Sequence, residues 1–371
     1  MIFRLAAWGA LLLLARPADA QLDTARIVNA MTKVADWQLQ HLKQPPAAML
    51  DDPHGWSEAV FWLGMTALAD RQPHYRDRVI ALGADMHWQL GKRTEHADDH
   101  LIGQVWLWGA QHGAGPDVLQ PMRARIDTLM TEQASAKPAQ DAVRFPKCAI
   151  RLCWCDALFM SPPTLLGLSR VTGDGRYAEL AFREVDQAIT LLYDPEQRLF
   201  HRDDRFIGQR DGKGRRIFWS RGNGWALAGF ANMLAVMDRG DPHAAFYKAL
   251  FGSMAERVRK LQRKDGAWSS SLLDPGQSPE TSGTGLFVYA LAWGVNAGLL
   301  DRDRFMPTIE RGWAALDRAV TPEGAIGGTQ PISDQPGAPE PGQSQPYGAG
   351  AFLLAGNQLL ILSDPTLRQQ R

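Results

Sequence analysis

The sequence predicts an all-α fold, an (α/α)6 toroid of six helical hairpins, on two observations. First, a turn with glycine or polar residues, a helix rich in Ala, Gly, Leu and aromatics, and a more charged helix follow one another repeatedly. The apolar helices fall at 56–69, 99–110, 156–171, 223–237, 282–297 and 348–362, at intervals of roughly 45 to 65 residues, enough for a helix pair each. Second, the partner stretches at 75–90, 176–192, 243–263 and 303–319 are amphipathic and charged. Helices apolar all round beside helices with one wet face imply two concentric layers. A straight solenoid of helix pairs is the alternative, and six repeats running to the C-terminus favour closure.

At the N-terminus, Arg4, the apolar run 5–15 and Ala18-Asp19-Ala20 read as a secretory signal over residues 1–20. The run is too short to span a bilayer of roughly 30 Å. The expectation is a periplasmic or secreted protein, free of the membrane after cleavage, with 21–371 forming one catalytic domain. Lys+Arg and Asp+Glu number 40 each; a formal charge of zero argues against a nucleic-acid partner, which needs a net basic surface. An anionic ligand must therefore be met by local arginines. The three cysteines, Cys148, Cys153 and Cys155, sit within CAIRLCWC; in an oxidising compartment Cys148 can pair with Cys153 or with Cys155. Without a spaced histidine they make no zinc signature, and neither a metal nor a cofactor is expected. P-loop, dinucleotide, GxSxG and HExxH motifs are all missing from the sequence.

Polar residues recur where the apolar helices begin: His54 and Trp56 in PHGW, Asp98 and Asp99 in HADDHLIGQ, Asp156 in CWCDALFM, Glu280 to Ser282 in ETSGTG, and Gln345 to Tyr347 in SQPYGAG. Singly, each reads as a helix cap. Gathered at one end of a toroid they line a pocket whose helix termini favour anions. In FWSRGNGWALAGF, residues 218–230, Gly222 and Gly224 read as a turn with positive φ that sets Arg221 between Trp219 and Trp225. Tryptophan faces stack on sugar rings and the guanidinium fork fits a carboxylate, so the ligand expected is an acidic sugar, its carboxylate on Arg221. Asp156 lies among Cys153, Trp154, Cys155 and Phe159. Its carboxyl is expected to be desolvated and, with a second carboxylate from Asp98 or Asp99, to hold its proton toward neutral pH. Pro162 and Pro163 should interrupt the helix that follows. Glycine- or histidine-bearing stretches at 198–202, 265–269 and 323–327 read as short strands or turns returning to the rim; they bring His201, which carries no signal on its own.

These residues resemble a family. DALFMSPPTLLGLSRVTGDGRY at 156–177, WSRGNGW at 219–225, ETSGTGLFVYALAWGVNAGLL at 280–300 and PYGAGAFLLAG at 346–356 resemble, in that order, the unsaturated glycuronyl hydrolases of glycoside hydrolase families 88 and 105, most closely the unsaturated rhamnogalacturonyl type. The resemblance implies an (α/α)6 enzyme that removes a 4,5-unsaturated uronic acid from the non-reducing end of small, lyase-generated oligosaccharides. It implies Asp156 as general acid and base, and the second acidic residue falls on Asp99 or its neighbour Asp98; Asp99 is taken as the catalytic carboxylate, with Asp98 in the substrate-binding set. It places His201, Arg221 and Trp225 around the substrate; Trp219, Trp56 and His54 join them from the reading of the residues themselves.

Overall fold

A computed structural model describes residues 22–135, 148, 150–238, 240–340 and 342–364; the expected signal segment lies outside them. The six outer helices are α1 (Thr24–Gln40), α3 (Pro73–Asp85), α6 (Gln120–Ser135), α9 (Gly175–Leu192), α11 (Pro242–Lys260) and α13 (Arg302–Ala319). Interleaved with them run the inner helices: α2 (Trp56–Ala69), the broken pair α4 (Ala97–His100) and α5 (Ile102–Gly109), the broken pair α7 (Ala157–Met160) and α8 (Pro162–Thr172), then α10 (Ser220–Val236), α12 (Thr281–Asn296) and α14 (Pro346–Ser363). Each inner helix packs on the next and α14 packs back on α2, so the ring closes. The fold is the (α/α)6 toroid, and its buried apolar residues form one continuous cluster.

Aspartates cap several of the outer helices. Asp23, Asp174, Asp241 and Asp301 each accept a backbone N–H in the first turn of α1, α9, α11 and α13, which satisfies donors an outer helix would leave to water. Among the inner helices, Glu280 caps α12 through Ser282 and Gly283 N–H, whereas Asp156 before α7 makes no capping bond. Its carboxyl is left for other work.

The inner ring closes because it is lined with small residues. A Cβ on Gly350 would stand 2.2 Å from the Val60 carbonyl oxygen, and one on Gly64 2.7 Å from that of Gly350. Gly229 lies as tightly over the Leu158 carbonyl. Gly222 and Gly224 serve the same end and correct the sequence reading. They lie inside the first turns of α10 rather than in a positive-φ turn; added Cβ atoms would meet Cys155 Sγ and Leu286 Cβ at 2.9 Å.

The prolines interrupt the third inner helix as expected. Its break is at Ser161, with Pro162 opening α8, and the buried Ser161 hydroxyl meets His100 Nδ1 at 2.8 Å and Arg151 Nη2 at 2.9 Å. Burial, with Arg151 close by, takes His100 down to about 3, so its ring is neutral at the break. The returning segments form small hairpins. β1 (Tyr193–Asp194) pairs antiparallel with β2 (Leu199–Phe200), and bridges join Trp219 to Ser271, Ser269 to Pro279 and Val320 to Ile326. Cys148 and Cys153 form the disulfide, Cα atoms 5.9 Å apart, leaving Cys155 a buried free thiol. Gly350→Ala is expected to lower stability by about 1–3 kcal/mol or more, the usual cost of overpacking a closed interior; thermal melting checks it, with Gly252→Ala, whose Cβ meets open space, as control.

Candidate active site

At the end of the toroid where the inner helices begin, a cavity of about 300 Å³ opens. Burial grades from its floor, where Asp156, Met160, Trp219 and Arg221 are nearly inaccessible, to a rim that includes His54, with 60% of its side chain exposed, and Ile332.

Asp156 reaches the floor through its preceding strand-like residues. Cys155 N–H donates to the Arg202 carbonyl (2.8 Å) and Trp154 bridges Asp203, so CWCD and HRDD lie side by side. Arg202 is thereby brought to Asp156, with Nε 3.4 Å from Oδ2, while its Nη1 donates to Asp203 (2.9 Å). Burial raises the proton affinity of Asp156, and Arg202 and Arg221 pull against that rise. Asp98, from the neighbouring α4, lines the same cavity; burial pushes it up to about 7, Arg93 pulling down and Asp156 adding to the rise. Two carboxyl groups thus face one cavity, both with proton affinity raised by burial, the direction general acid–base work requires.

Asp99 does not join them. Its carboxylate turns back onto Arg93, accepting the backbone N–H at 2.7 Å and the guanidinium at 2.5 and 3.0 Å, and it does not line the cavity. Successive residues of a helix point about 100° apart, so only one of the pair can face inward; that one is Asp98. Asp99 ties the 91–93 turn to α4.

Arg221 also requires correction. It lines the floor, but its fork is already engaged: Nη1 donates to the Gln330 carbonyl (2.7 Å) and Tyr347 hydroxyl (2.9 Å), Nη2 to the Pro331 carbonyl (2.9 Å). The guanidinium is sandwiched between Trp219 and Tyr347, 4.3 and 4.8 Å from their ring centroids. It fixes the 330–334 wall and lends charge to the floor, rather than offering a free fork. Trp225 is fully buried beneath the cavity, edge-on to Trp56 at 6.2 Å and against Phe159 at 4.9 Å. His201 lies behind the wall, Nε2 3.7 Å from Asp194 and ring tilted on Phe218; burial lowers its proton affinity, Asp194 opposing. Neither residue lines the cavity. Trp56, stacked on Tyr347 (5.1 Å), His54 and Trp219 do.

Sequence reasoning missed Arg93, His96, Trp154, Arg202 and residues 332–334, all of them lining. Trp154 and Arg202 flank residues already singled out and were readable as neighbours. Asp334, held by Arg205 at 2.8 Å, sits in a Pro/Gly-rich stretch with no periodic signal.

The Glycosyl Hydrolase Family 88 model matches residues 30–362. The chain belongs to this family and is a glycoside hydrolase. It is 34% identical over 360 residues to an unsaturated 3S-rhamnoglycuronyl hydrolase of Formosa agariphila, covering 94% of each chain, and 33% identical over 351 residues to one from Alteromonas sp. (strain LOR), covering 88% of this chain and 84% of that one. Among solved structures, a Glycosyl Hydrolase Family 88 protein from Bacteroides vulgatus superposes with a TM-score of 0.79 at 25% identity, over 91% of this chain and 99% of the other. The unsaturated glucuronyl hydrolase of Bacillus sp. GL1, at 18% identity, shares the fold with a TM-score of 0.65, over 91% and 96%.

The two aspartates should part company on substitution. Asp99→Asn is expected to cost roughly 1.5–3 kcal/mol of stability by weakening charge-assisted bonds. Asp98→Asn should act on turnover and on pH dependence instead. Because the folded pKa of Asp98 is raised, the wild-type chain gives up stability as pH climbs from about 4 to about 7. The Asn variant escapes that loss, so its melting temperature should gain on wild type across this window, which melts at a series of pH values will read.

Proposed function

We propose that the protein removes a 4,5-unsaturated uronic acid from the non-reducing end of a lyase-generated oligosaccharide by hydrating its double bond, and that the next sugar is rhamnose. The observation that carries the reading is the pair Asp156 and Asp98, both with raised proton affinity, facing one blind cavity. Protonation of a vinyl ether needs an acid near neutral pH at a carbon, and a base for the incoming water.

In the reaction, Asp156 gives a proton to C4 and positive charge develops on C5 and the ring oxygen. Water adds at C5 while the Asp156 carboxylate takes its proton, restoring the acid. The C5 hemiketal opens, freeing the oxygen on C1, and the C1 hemiacetal expels the neighbouring sugar and leaves an aldehyde. One water is consumed, and C1 never becomes the cationic centre, so the carboxylate spacing rule for ordinary glycosidases does not apply. Arg202 beside Asp156 keeps positive charge near the anion formed at each half-step, and the buried floor excludes bulk water. Trp56 and Trp219 offer ring faces to the sugar.

Two relatives that align over most of their length carry 3S-rhamnoglycuronyl in their names. An unsaturated rhamnogalacturonyl hydrolase of Bacillus subtilis aligns over 48% of its length at 25% identity. This favours a rhamnose bearing a 3-sulfate over a pectin-type partner. We place the enzyme outside the cytoplasm, on the strength of the 1–20 signal and the Cys148–Cys153 disulfide.

Turnover in heavy water should put deuterium at C4 of the released keto-aldehyde sugar as the absorbance of the conjugated double bond falls, and Asp156→Asn should lose about 10²-fold or more of this rate. Complete cleavage with C4 unlabelled would refute hydration. In a panel of unsaturated disaccharides, those with rhamnose sulfated at O3 should give the highest kcat/KM; equal rates with unsulfated rhamnose would remove the sulfate from the assignment.

A further inference from the structure

The inner helices frame a second cavity, of about 900 Å³, at their C-terminal ends. It shares none of the lining residues of the first. Between them lies a hydrogen-bonded floor. The Tyr289 hydroxyl donates to Asn232 Oδ1 (2.5 Å), Asn232 Nδ2 to Gln104 Oε1 (2.9 Å), and Gln104 Nε2 to the Phe159 carbonyl (2.8 Å). Three side chains of mixed donor and acceptor character therefore face a cavity that apolar packing would otherwise have filled.

The rim is cationic. Arg71, Arg76 and Arg170 line it, against Asp70 as the one carboxylate among the described lining residues, and Asp70 already accepts the Trp108 indole N–H at 2.8 Å. Arg71 is fixed by two bonds to Asn357 Oδ1, at 3.1 and 3.2 Å. Arg76 and Arg170 complete the cationic rim with Arg71. Trp108, half-buried, is pinned by Asp70 and by stacking on His112 at 4.3 Å, which makes it a rigid ring face on the cavity wall. A pinned indole, an amide and hydroxyl floor and a surplus of guanidinium groups complement a sugar ring that carries an acid group.

We propose that this distal cavity binds the acidic end of a second oligosaccharide of the class cleaved at the active site, holding it without cleavage; the class of ligand rests on the proposed function, the site on the residues named. The test is calorimetric titration of the Asp156→Asn protein, in which turnover is expected to be slowed about 10²-fold or more, with a lyase-generated unsaturated disaccharide. The expected result includes a binding event weakened about tenfold or more by Arg76→Ala combined with Arg170→Ala, weakened likewise by Trp108→Ala, and unmoved by Trp56→Ala. Arg76→Gln replaces the alanine if that variant does not melt like its parent. No binding, or events that these distal changes leave untouched, would overturn the proposal. So would an event abolished by inorganic sulfate but indifferent to Trp108→Ala, which would make the cavity an anion site with no place for a sugar. Turnover of the same disaccharide by the wild-type chain is read separately, so failure of the proposed reaction is distinguishable from failure of the distal site.

Discussion

The architecture turns on keeping the Asp156 carboxyl out of water while leaving it able to exchange a proton. A buried carboxylate without partners reverts to its acid, and one fully satisfied by donors is a permanent anion. The site lies between these limits. Asp156 escapes the capping role its position invites, because its own backbone is already helical (φ −63°, ψ −30°) rather than in the extended conformation a capping residue takes. Its neighbour Cys155 is held by the Arg202 carbonyl on one side and fits against Gly222 on the other. Arg202 approaches to 3.4 Å, and its charge, with that of Arg221, offsets part of the rise in proton affinity that burial causes.

The close packing of the inner ring serves the same end. Gly350 over Val60 and Gly229 over Leu158 bring inner helices together backbone to backbone, and closeness of that kind leaves little room to shift against one another. The carboxyls of α4 and of the α7 entry are therefore presented on a rigid floor. The rim is built differently. Residues 330–334 hang on hydrogen bonds, from Arg221 to two carbonyls, from Gln330 N–H to Glu280 and from Arg205 to Asp334. Arg221 and Glu280 look like ligand-binding residues in the sequence, and both are spent on fastening this wall.

What was legible in the sequence follows from what periodicity and chemistry can carry. Six inner helices were readable because an all-round apolar helix beside an amphipathic one has few ways to bury itself, and the break at Pro162 because proline lacks the N–H the helix needs. The glycines of WSRGNGW were misjudged because glycine marks either a turn or a close approach, and composition alone does not separate them. Asp98 and Asp99 were not separable, since the phase of a four-residue helix is set by its anchors, here Arg93 and the 91–93 turn. The fork of Arg221 read as free for a ligand because the residues that occupy it come from more than a hundred positions away.

A neutral chain selecting an anionic sugar was expected to meet it with an arginine fork. With Arg221 occupied, the attraction has to come from fields rather than from one dedicated pair: the N-termini of inner helices converging on the cavity, and Arg202, Arg93 and Arg221 around its floor, each already engaged by the protein. Distributed charge of this kind draws in an anion without gripping it. That suits the proposed hydration, in which positive charge would appear at C5, next to the carboxylate, for the lifetime of one step. A tight guanidinium clamp on that carboxylate would withdraw the negative charge that helps the cation form, so leaving the fork of Arg221 turned to the wall keeps the substrate's own anion available to its transition state.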